Sequence, residues 1–283
     1  MTARRPRLAV MGGGNMGGAL VGGLLAARTR RAADVVVVEI DGARRRELKK
    51  KWGVGATDDP RTAVRGADAV VLAVKPQQMP DLLGALAGAV RPSQVMVSVA
   101  AGVTTASIEN ALGPVPVVRA MPNTPALIRA GAMVYCLGRF ARAAHETRAR
   151  KILSAVGPVW KVEEKDMDAV TALSGSGPAY VFYLAEAMAA AGAALGLDPA
   201  LAESLARQTV YGAGRLLAES ADPAGELRRK VTSPGGTTQA ALAVLEAAGV
   251  IPIFEKALDA ARRRSSELSS SARGSQAPKE SNP

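Results

Sequence analysis

The chain has 283 residues, of which 48% are apolar and 3% aromatic, and its formal net charge is +11 at pH 7. This length suits one large or two ordinary domains, and the apolar content excludes a globally disordered chain. The single cysteine, Cys136, excludes an intramolecular disulfide and a cysteine-based metal cluster. The single histidine, His145, lies in a polar run and is expected at a solvated helix position, so no metal site is predicted.

Basic residues outnumber acidic ones, but they are spread over predicted amphipathic helices and the ends of the chain. Because no stacking aromatic residues accompany them, a nucleic-acid partner is not expected. The surplus positive charge instead favours an anionic cofactor and an anionic substrate. The sequence contains no run of about 18 uncharged apolar residues, so no membrane span is predicted. The glycines of 12–18 interrupt any apolar stretch that could form a signal peptide. The expected location is therefore the cytoplasm, with no membrane partner.

The first half of the chain alternates Val-rich apolar runs with helix-like segments. The apolar runs predict strands at 7–11, 34–39, 68–74, 94–99 and 115–120. The intervening segments predict helices at 15–28, at 42–52 and from about residue 77. Continuous apolar strands separated by helices indicate a parallel sheet covered on both faces. We therefore predict an α/β fold with a Rossmann-type doubly wound parallel sheet.

The second half is dominated by Ala, Leu, Gly and Met and has no strand-like spacing. It predicts two long helices over 170–217 that divide at 196–199, where Asp198 and Pro199 form a good helix start. Further helices are predicted in the segments that follow, at 223–230, 237–248 and 254–268. The expected organisation is a dinucleotide-binding domain at 1–164, an all-helical domain at 165–268 and a disordered tail at 269–283.

A glycine-rich turn follows the first predicted strand and opens the first predicted helix, which is the context that the pattern G-x-G-x-x-G requires. Gly12 permits the tight turn, Gly14 lets the backbone approach a pyrophosphate, and Gly17 lets helix and strand pack closely. The free N–H groups and the positive end of the helix then hold the pyrophosphate. The turn predicts a bound nicotinamide dinucleotide, held by Met11, Gly12, Gly13, Gly14, Asn15, Met16 and Gly17.

Two features near the second strand disagree about which dinucleotide is bound. Glu39 ends that strand, where an acid usually accepts hydrogen bonds from the adenosine ribose and favours NADH. Arg44, Arg45 and Arg46 follow shortly and are suited either to a 2′-phosphate, which favours NADPH, or to solvated helix positions. The sequence therefore predicts NADPH or NADH without choosing between them.

Two further segments end strands at the carboxyl edge of the predicted sheet, where ligands bind in this architecture. Lys75 follows a buried strand and is suited either to a phosphate or ribose or to an exposed loop. Small residues after the next strand leave room for a nicotinamide ring. The additional predicted cofactor contacts are Ala73, Val74, Lys75, Pro76, Ala100, Ala101 and Gly102.

A second glycine-rich turn separates two predicted helices at 232–238. The first N–H groups of the helix that follows are unpaired, and hydroxyl groups flank them, which makes a small cradle suited to a carboxylate. A plain interhelical turn with Thr237 as its N-cap is an equally good interpretation of these residues. The segment 173–180 is similar and predicts a helix start with Pro178 near its first position.

These motifs, in this order over residues 7–268, resemble the Δ1-pyrroline-5-carboxylate reductase family. The matching segments are Gly12–Gly17, 73–76, 100–103, 119–125, 174–180 and 223–246. The last of them contains the family's signature. The resemblance implies reduction of the cyclic imine of 1-pyrroline-5-carboxylate to L-proline by NAD(P)H. It also implies a helical C-terminal domain that forms a homodimer, which assembles into a decamer.

The resemblance also implies roles for individual residues. Ser233, Gly236 and Thr237 would hold the substrate carboxylate together with Gly235, and the Thr238 hydroxyl would face the imine nitrogen as the catalytic group. Glu164 matches an acid that contacts the ring nitrogen in some members. The expected substrate-binding residues are therefore Glu164, Ser233, Gly235, Gly236, Thr237 and Thr238.

The chain departs from the family pattern at Glu39, where many members carry a Ser or Thr that suits NADP. Two other protein classes fit the sequence less well. A β-hydroxyacid dehydrogenase would place a lysine on the long helix after the domain junction, but residues 176–197 contain no Lys or Arg. A nucleotide sensor without catalysis would not retain the second turn at 233–238.

Overall fold

A computed structural model describes residues 7–274, with side chains to residue 270. The described residues form an eight-stranded sheet in the order β3-β2-β1-β4-β5-β6-β7-β8. Its neighbouring strands are parallel except for the antiparallel pair β6–β7. The strands are β1 Arg7–Met11, β2 Val35–Val38, β3 Gly55–Thr57, β4 Ala67–Leu72, β5 Val95–Ser98, β6 Val117–Met121, β7 Met133–Leu137 and β8 Val159–Lys161.

The order of the first six strands is that of a doubly wound dinucleotide-binding sheet, so the predicted Rossmann-type fold is confirmed. The helices of this part are α1 Asn15–Ala26, α2 Gly42–Trp52, α3 Pro60–Arg65, α4 Met79–Leu86, α5 Thr105–Leu112, α6 Ala143–Leu153 and α7 Met167–Val170. The sequence did not predict β3, β7 or β8. Strands β3 and β8 lie at the sheet edges and have three residues each, too few to show a pattern.

Both faces of the sheet are covered because successive strand residues point to opposite sides. Val10 and Val37 belong to a core with α1 and α6, whereas Ala9 and Met11 belong to a core with α3, α4 and α5. Burial on both sides explains why these strands are nearly continuous runs of apolar residues.

A buried hydroxyl and a carboxylate join β7 to α6. Tyr135 is 1% exposed, and its hydroxyl donates a hydrogen bond of 2.6 Å to Glu146. Lys161 Nζ lies 3.1 Å from the other carboxylate oxygen. Burial and the bond to Glu146 raise the pKa of Tyr135 to about 12. The same hydroxyl, followed by Lys161, lowers the pKa of Glu146 below its usual range.

The remaining helices are α8 Gly177–Ala194, α9 Pro199–Glu219, α10 Ala224–Lys230, α11 Thr237–Ala247 and α12 Val250–Gly274. The predicted break between the two long helices is confirmed: Gly196 has a φ of +95°, and the Asp198 side chain accepts a bond from Leu201 N–H to cap α9. Gly192 provides room for Ala202, whose Cβ would lie 3.2 Å from a Cβ at position 192. None of the helices within 7–274 is long and apolar enough to cross a bilayer.

Contacts divide the chain into a sheet unit, residues up to Gly175 together with those from Ala261, and a helical unit, Ser176–Ala260. The sequence placed the boundary at 164 instead. Residues 165–175 lie with the sheet unit because Met167 is fully buried against Met121 and Cys136.

The last helix differs from its prediction. Residues 269–274 were expected in a disordered tail, but α12 continues through them. Ser265 and Ser269 are buried, and Ser265 Oγ donates to Asp168 at 2.7 Å. Packing against the sheet unit therefore outweighs the polar composition of this segment. The rest of the predicted tail, 275–283, lies outside the described residues.

We expect Tyr135→Phe to lower the free energy of unfolding by about 2 kcal/mol, because a bond to a charged group is lost at a buried site. The full decrease in the free energy of unfolding should be observed at pH 7. It should shrink as the pH falls below about 4.5, because the lowered pKa of Glu146 makes this stabilisation disappear on protonation. Urea unfolding at pH 7 and pH 4 measures both values. Lys161→Met, at a half-exposed residue, is the matched control and should cost less. A loss in Tyr135→Phe that does not change with pH would contradict this account.

Candidate active site

The glycine turn at the end of β1 is built around two positions that exclude a Cβ. Gly12 has a φ of +105°, and a Cβ there would lie 2.6 Å from the carbonyl oxygen of Ala73. A Cβ on Gly17 would overlap the carbonyl oxygen of Gly12. Only glycine lets α1 begin this close to the sheet, as the sequence predicted.

The start of α1 is open toward solvent. Its N-cap is Gly14, which is exposed, and a Cβ on Gly14 would meet no described atom within 4 Å. No side chain in the described part of the chain caps this helix. The N–H groups of its first turn and the positive end of its dipole therefore remain available to an anion. This cradle fits the pyrophosphate of a dinucleotide.

Glu39, directly after β2, holds the glycine turn from the side. Its Oε2 accepts the Gly13 N–H at 3.0 Å, and its Oε1 accepts the Asp41 N–H at 3.1 Å. Arg44 also reaches the turn, because its Nε donates to the Gly13 carbonyl oxygen at 3.0 Å. Arg45 donates to the carbonyl oxygen of Glu39 at 2.7 Å. Four residues singled out from the sequence are thus brought together here: Gly13, Glu39, Arg44 and Arg45.

The loops after β4 and β5 lie at the same edge of the sheet as the glycine turn. Ala73 N–H donates to the Met11 carbonyl oxygen at 2.8 Å, which joins the loop at 73–76 to β1. Lys75 is exposed. In the next loop Ala101 is exposed, and Gly102 has a φ of +73°. Adjacent loops at the carboxyl ends of β1, β4 and β5 form the crevice where dinucleotides bind in this architecture.

Glu164 lies in a network that the sequence did not predict. Its carboxylate accepts the N–H of Thr105 at 2.8 Å and also bonds to the Thr105 hydroxyl. Arg119 Nη1 lies 3.3 Å from the same carboxylate, and the Arg119 side chain is 3% exposed. Its Nε and Nη2 have no hydrogen-bond partner among the described residues. A buried guanidinium such as that of Arg119 is costly unless it is paired. Its pair with Glu164 and its two unsatisfied nitrogen atoms therefore make this network a candidate for a functional role.

The network is connected to the loop after β5. Thr105 begins α5 only three residues after Gly102, so Glu164 holds the end of that loop in place. Helix α12 lies on the other side of Gly102. A Cβ on Gly102 would lie 3.5 Å from the backbone carbonyl carbon of Leu268. The loop that was predicted to face the nicotinamide is thus bounded by Glu164 through Thr105 and by α12.

Two other motifs singled out from the sequence meet in the sheet unit. Asn123 Nδ2 donates to the Ser174 carbonyl oxygen at 3.2 Å, and a Cβ on Gly175 would lie 3.3 Å from the Met121 sulfur. The chain forms a π-helical turn at Thr171–Gly175 before α8 begins. Such turns occur often at functional sites, where they change the direction of a helix.

The second glycine turn lies in the helical unit and precedes α11. Gly235 has a φ of +71°, and its N–H donates to Gln239 Oε1 at 2.6 Å. The N-cap of α11 is Gly236, so the plain turn with Thr237 as N-cap is not what forms. No side chain caps α11 within residues 7–270. Thr238 is half-buried, whereas Ser233 and Thr237 are exposed. The turn therefore offers unpaired N–H groups beside three hydroxyls.

Cys136 and His145 take no part in either turn. Burial, and then the charge of Glu164, raises the pKa of Cys136 to about 12, so the thiol stays protonated. His145 lies on α6, as expected, but it is half-buried rather than solvated, and its Nδ1 accepts the Arg142 N–H. Burial, followed by Arg148 and Arg142, lowers its pKa.

Two protein-family models match the chain. Residues 164–268 match the family described as pyrroline-5-carboxylate reductase dimerisation. Residues 7–102 match the family described as NADP oxidoreductase coenzyme F420-dependent. The two matches coincide with the helical segment and with the first part of the sheet.

Curated relatives and solved structures agree with these matches. The chain is 45% identical to the pyrroline-5-carboxylate reductase of Pseudomonas aeruginosa over 265 residues, which cover 93% of this chain and 97% of the relative. The solved pyrroline-5-carboxylate reductase of Coxiella burnetii is 40% identical, with a TM-score of 0.90 over 94% of this chain and 99% of that one.

A more distant solved structure, the pyrroline carboxylate reductase of Plasmodium falciparum with NADP bound, is 28% identical, with a TM-score of 0.81 over 94% of this chain and 98% of that one. The likeness thus extends over nearly the whole length of each relative. This chain belongs to the pyrroline-5-carboxylate reductase family.

Proposed function

We propose that the protein is an NAD(P)H-dependent oxidoreductase that reduces 1-pyrroline-5-carboxylate to L-proline. The observation that carries the proposal is the 45% identity to a pyrroline-5-carboxylate reductase over 93% of this chain. The two glycine turns support it, because one suits a dinucleotide and the other a small carboxylate. NAD(P)H, when bound, supplies the hydride that reduces the imine carbon.

The sheet unit is proposed to bind and orient the cofactor. The N–H groups at the start of α1 would hold the pyrophosphate, and Glu39 would contact the adenosine ribose. The small residues Ala100, Ala101 and Gly102 would leave space for the nicotinamide ring. The bonds from Thr105 to Glu164 would keep this loop rigid, which matters because hydride transfer demands a fixed geometry.

The turn before α11 is proposed to hold the substrate carboxylate. Ser233, Gly236 and Thr237 would bind it through hydroxyl and N–H groups, and Gly235 supports the turn with its positive φ. Thr238 Oγ would face the imine nitrogen and orient it. No strong general acid is evident among these residues, and an imine protonated in solution or by a water molecule would need none.

Glu164 is proposed to lie on the ring-nitrogen side of the substrate. Its side chain is 31% exposed, and a carboxylate has about four acceptor positions, so bonds to Thr105 and Arg119 do not exhaust it. A negative charge there would favour the protonated, cationic imine.

The helical unit is proposed to form the homodimer. Only Ala202 and Ala206 are buried apolar residues in its described part, whereas α8 exposes large apolar side chains. Phe182 is 66% exposed and lines a groove of about 690 Å³ with Tyr211 of α9. An apolar surface of this kind is typical of an interface, and residues 164–268 match a dimerisation family. Assembly of dimers into a decamer and a cytoplasmic location remain predictions.

Initial rates test the proposed reaction directly. We expect 1-pyrroline-5-carboxylate to cause oxidation of NADH or NADPH, followed as the loss of absorbance at the nicotinamide band. In the reverse direction, L-proline should reduce the oxidised cofactor at high pH. Absence of activity with both cofactors would overturn the proposed function.

We expect Thr238→Ala to lower kcat about 10- to 100-fold, because one hydrogen bond to a polar or charged group is worth about 1.5–3 kcal/mol. The dissociation constant of the cofactor should change much less. Thr232→Ala is the matched control, since the Thr232 hydroxyl bonds to the Arg228 carbonyl oxygen within its own helix end. A kcat in Thr238→Ala equal to that of the wild type would contradict the assignment.

We expect Phe182→Glu to convert the dimer to monomers, because the new charge would be buried in the interface. Light scattering coupled to size exclusion measures the mass. Ile128→Glu, at a 78% exposed residue of the sheet unit, is the control and should leave the mass unchanged. A Phe182→Glu protein with the wild-type mass would exclude this surface as the interface.

A further inference from the structure

We propose that this protein selects NADH over NADPH and that Glu39 is the residue that determines the choice. The sequence left this open, because Glu39 and the arginines of α2 favour opposite cofactors. The inference deepens the proposed function by naming the cofactor of the same site. It rests on that function for the reaction, but not for the binding measurements that test it.

The carboxylate of Glu39 is held in a defined position. Two backbone N–H groups fix it, that of Gly13 on one oxygen and that of Asp41 on the other. The Glu39 N–H in turn donates to the Thr57 carbonyl oxygen at 2.9 Å, which ties this residue to β3. Because the backbone on both sides is fixed, the negative charge cannot be moved aside without disrupting the glycine turn.

This carboxylate suits a ribose and not a phosphate. Its oxygens have about four acceptor positions, of which two are filled by backbone N–H groups. The 2′- and 3′-hydroxyls of an unphosphorylated ribose are donors and can use the others. A 2′-phosphate offers acceptors and close to two negative charges at pH 7, so it meets the carboxylate with repulsion and no bond.

Two of the three arginines that would serve a 2′-phosphate, Arg44 and Arg45, already have partners. Arg44 donates through Nε to the Gly13 carbonyl oxygen at 3.0 Å and through Nη1 to Glu47 at 2.6 Å. Arg45 donates to the backbone carbonyls of Glu39 and Ile40. Both arginines therefore support the backbone around the turn.

Other acids in this region oppose a phosphate as well. Arg45 Nη2 lies 3.0 Å from Asp58, which offsets its charge. Asp41 caps α2 by accepting the Ala43 N–H at 2.8 Å, so a carboxylate already occupies the positive end of that helix. Arg44 and Arg45 are thus each paired with a carboxylate, that of Glu47 and that of Asp58. Arg46 is exposed on the same helix.

Dissociation constants of NADH and NADPH, measured by calorimetry without substrate, test the proposal. We expect wild-type protein to bind NADH at least tenfold more tightly than NADPH. Glu39→Gln keeps the size of the side chain and removes its charge, and should reduce this ratio below threefold, mainly by tighter binding of NADPH. Equal or tighter binding of NADPH by the wild type would overturn the proposal, and so would an unchanged ratio in Glu39→Gln.

The arginines provide a second, independent test. Arg44→Gln should weaken both cofactors by a similar factor, because it removes a support of the turn. Arg46→Gln is the matched control and should leave the ratio unchanged. A selective loss of NADPH affinity in either variant would show that an arginine binds the 2′-phosphate. That result would overturn the assignment of cofactor selection to Glu39. These variants decide the question even where Glu39→Gln does not fold, which circular dichroism reports.

The measurements separate this inference from the proposed function. Selective NADH binding without reduction of 1-pyrroline-5-carboxylate would support the inference and overturn the function. Efficient reduction by a protein that binds NADPH more tightly would support the function and overturn the inference.

Discussion

The close contact of α1 with the end of β1 is the constraint on which the sheet unit depends. Gly17 lies so near the Gly12 carbonyl that no side chain fits between them. The same turn accepts or donates bonds to each neighbouring element: Gly12 N–H bonds to Val38 of β2, and Gly13 N–H bonds to Glu39. The steric requirement at Gly17 lets α1 begin close to β1, and the hydrogen bond from Gly13 N–H holds the acid beside the same turn.

Charge is distributed around this turn in a way that the total of +11 conceals. Near Glu39, Arg44 is paired with Glu47 and Arg45 with Asp58. These two arginines therefore do not form an unpaired cationic cluster beside Glu39. Local pairing therefore matters more than the net charge of the chain for what the groups around Glu39 can attract.

The helical unit is held together in a different way from the sheet unit. Its long helices approach through Gly192 and Ala202, and small residues leave few side chains to form a core of their own. Much of its apolar surface remains exposed in a single chain. The unit therefore needs a partner surface to cover these apolar side chains, in agreement with its match to a dimerisation family.

Local patterns in the sequence were sufficient for the doubly wound sheet, the glycine turn and the break before α9, because each follows from short-range sterics and burial. Contacts between distant residues decided the rest. Arg119, Glu164 and Thr105 meet across 45 and 59 positions of sequence, and no spacing rule relates them. The N-cap of α11, the helical end of α12 and the tethered state of Arg44 likewise depended on packing. A side chain's chemistry can be read from the sequence, but the partner that satisfies it is chosen only when the chain folds.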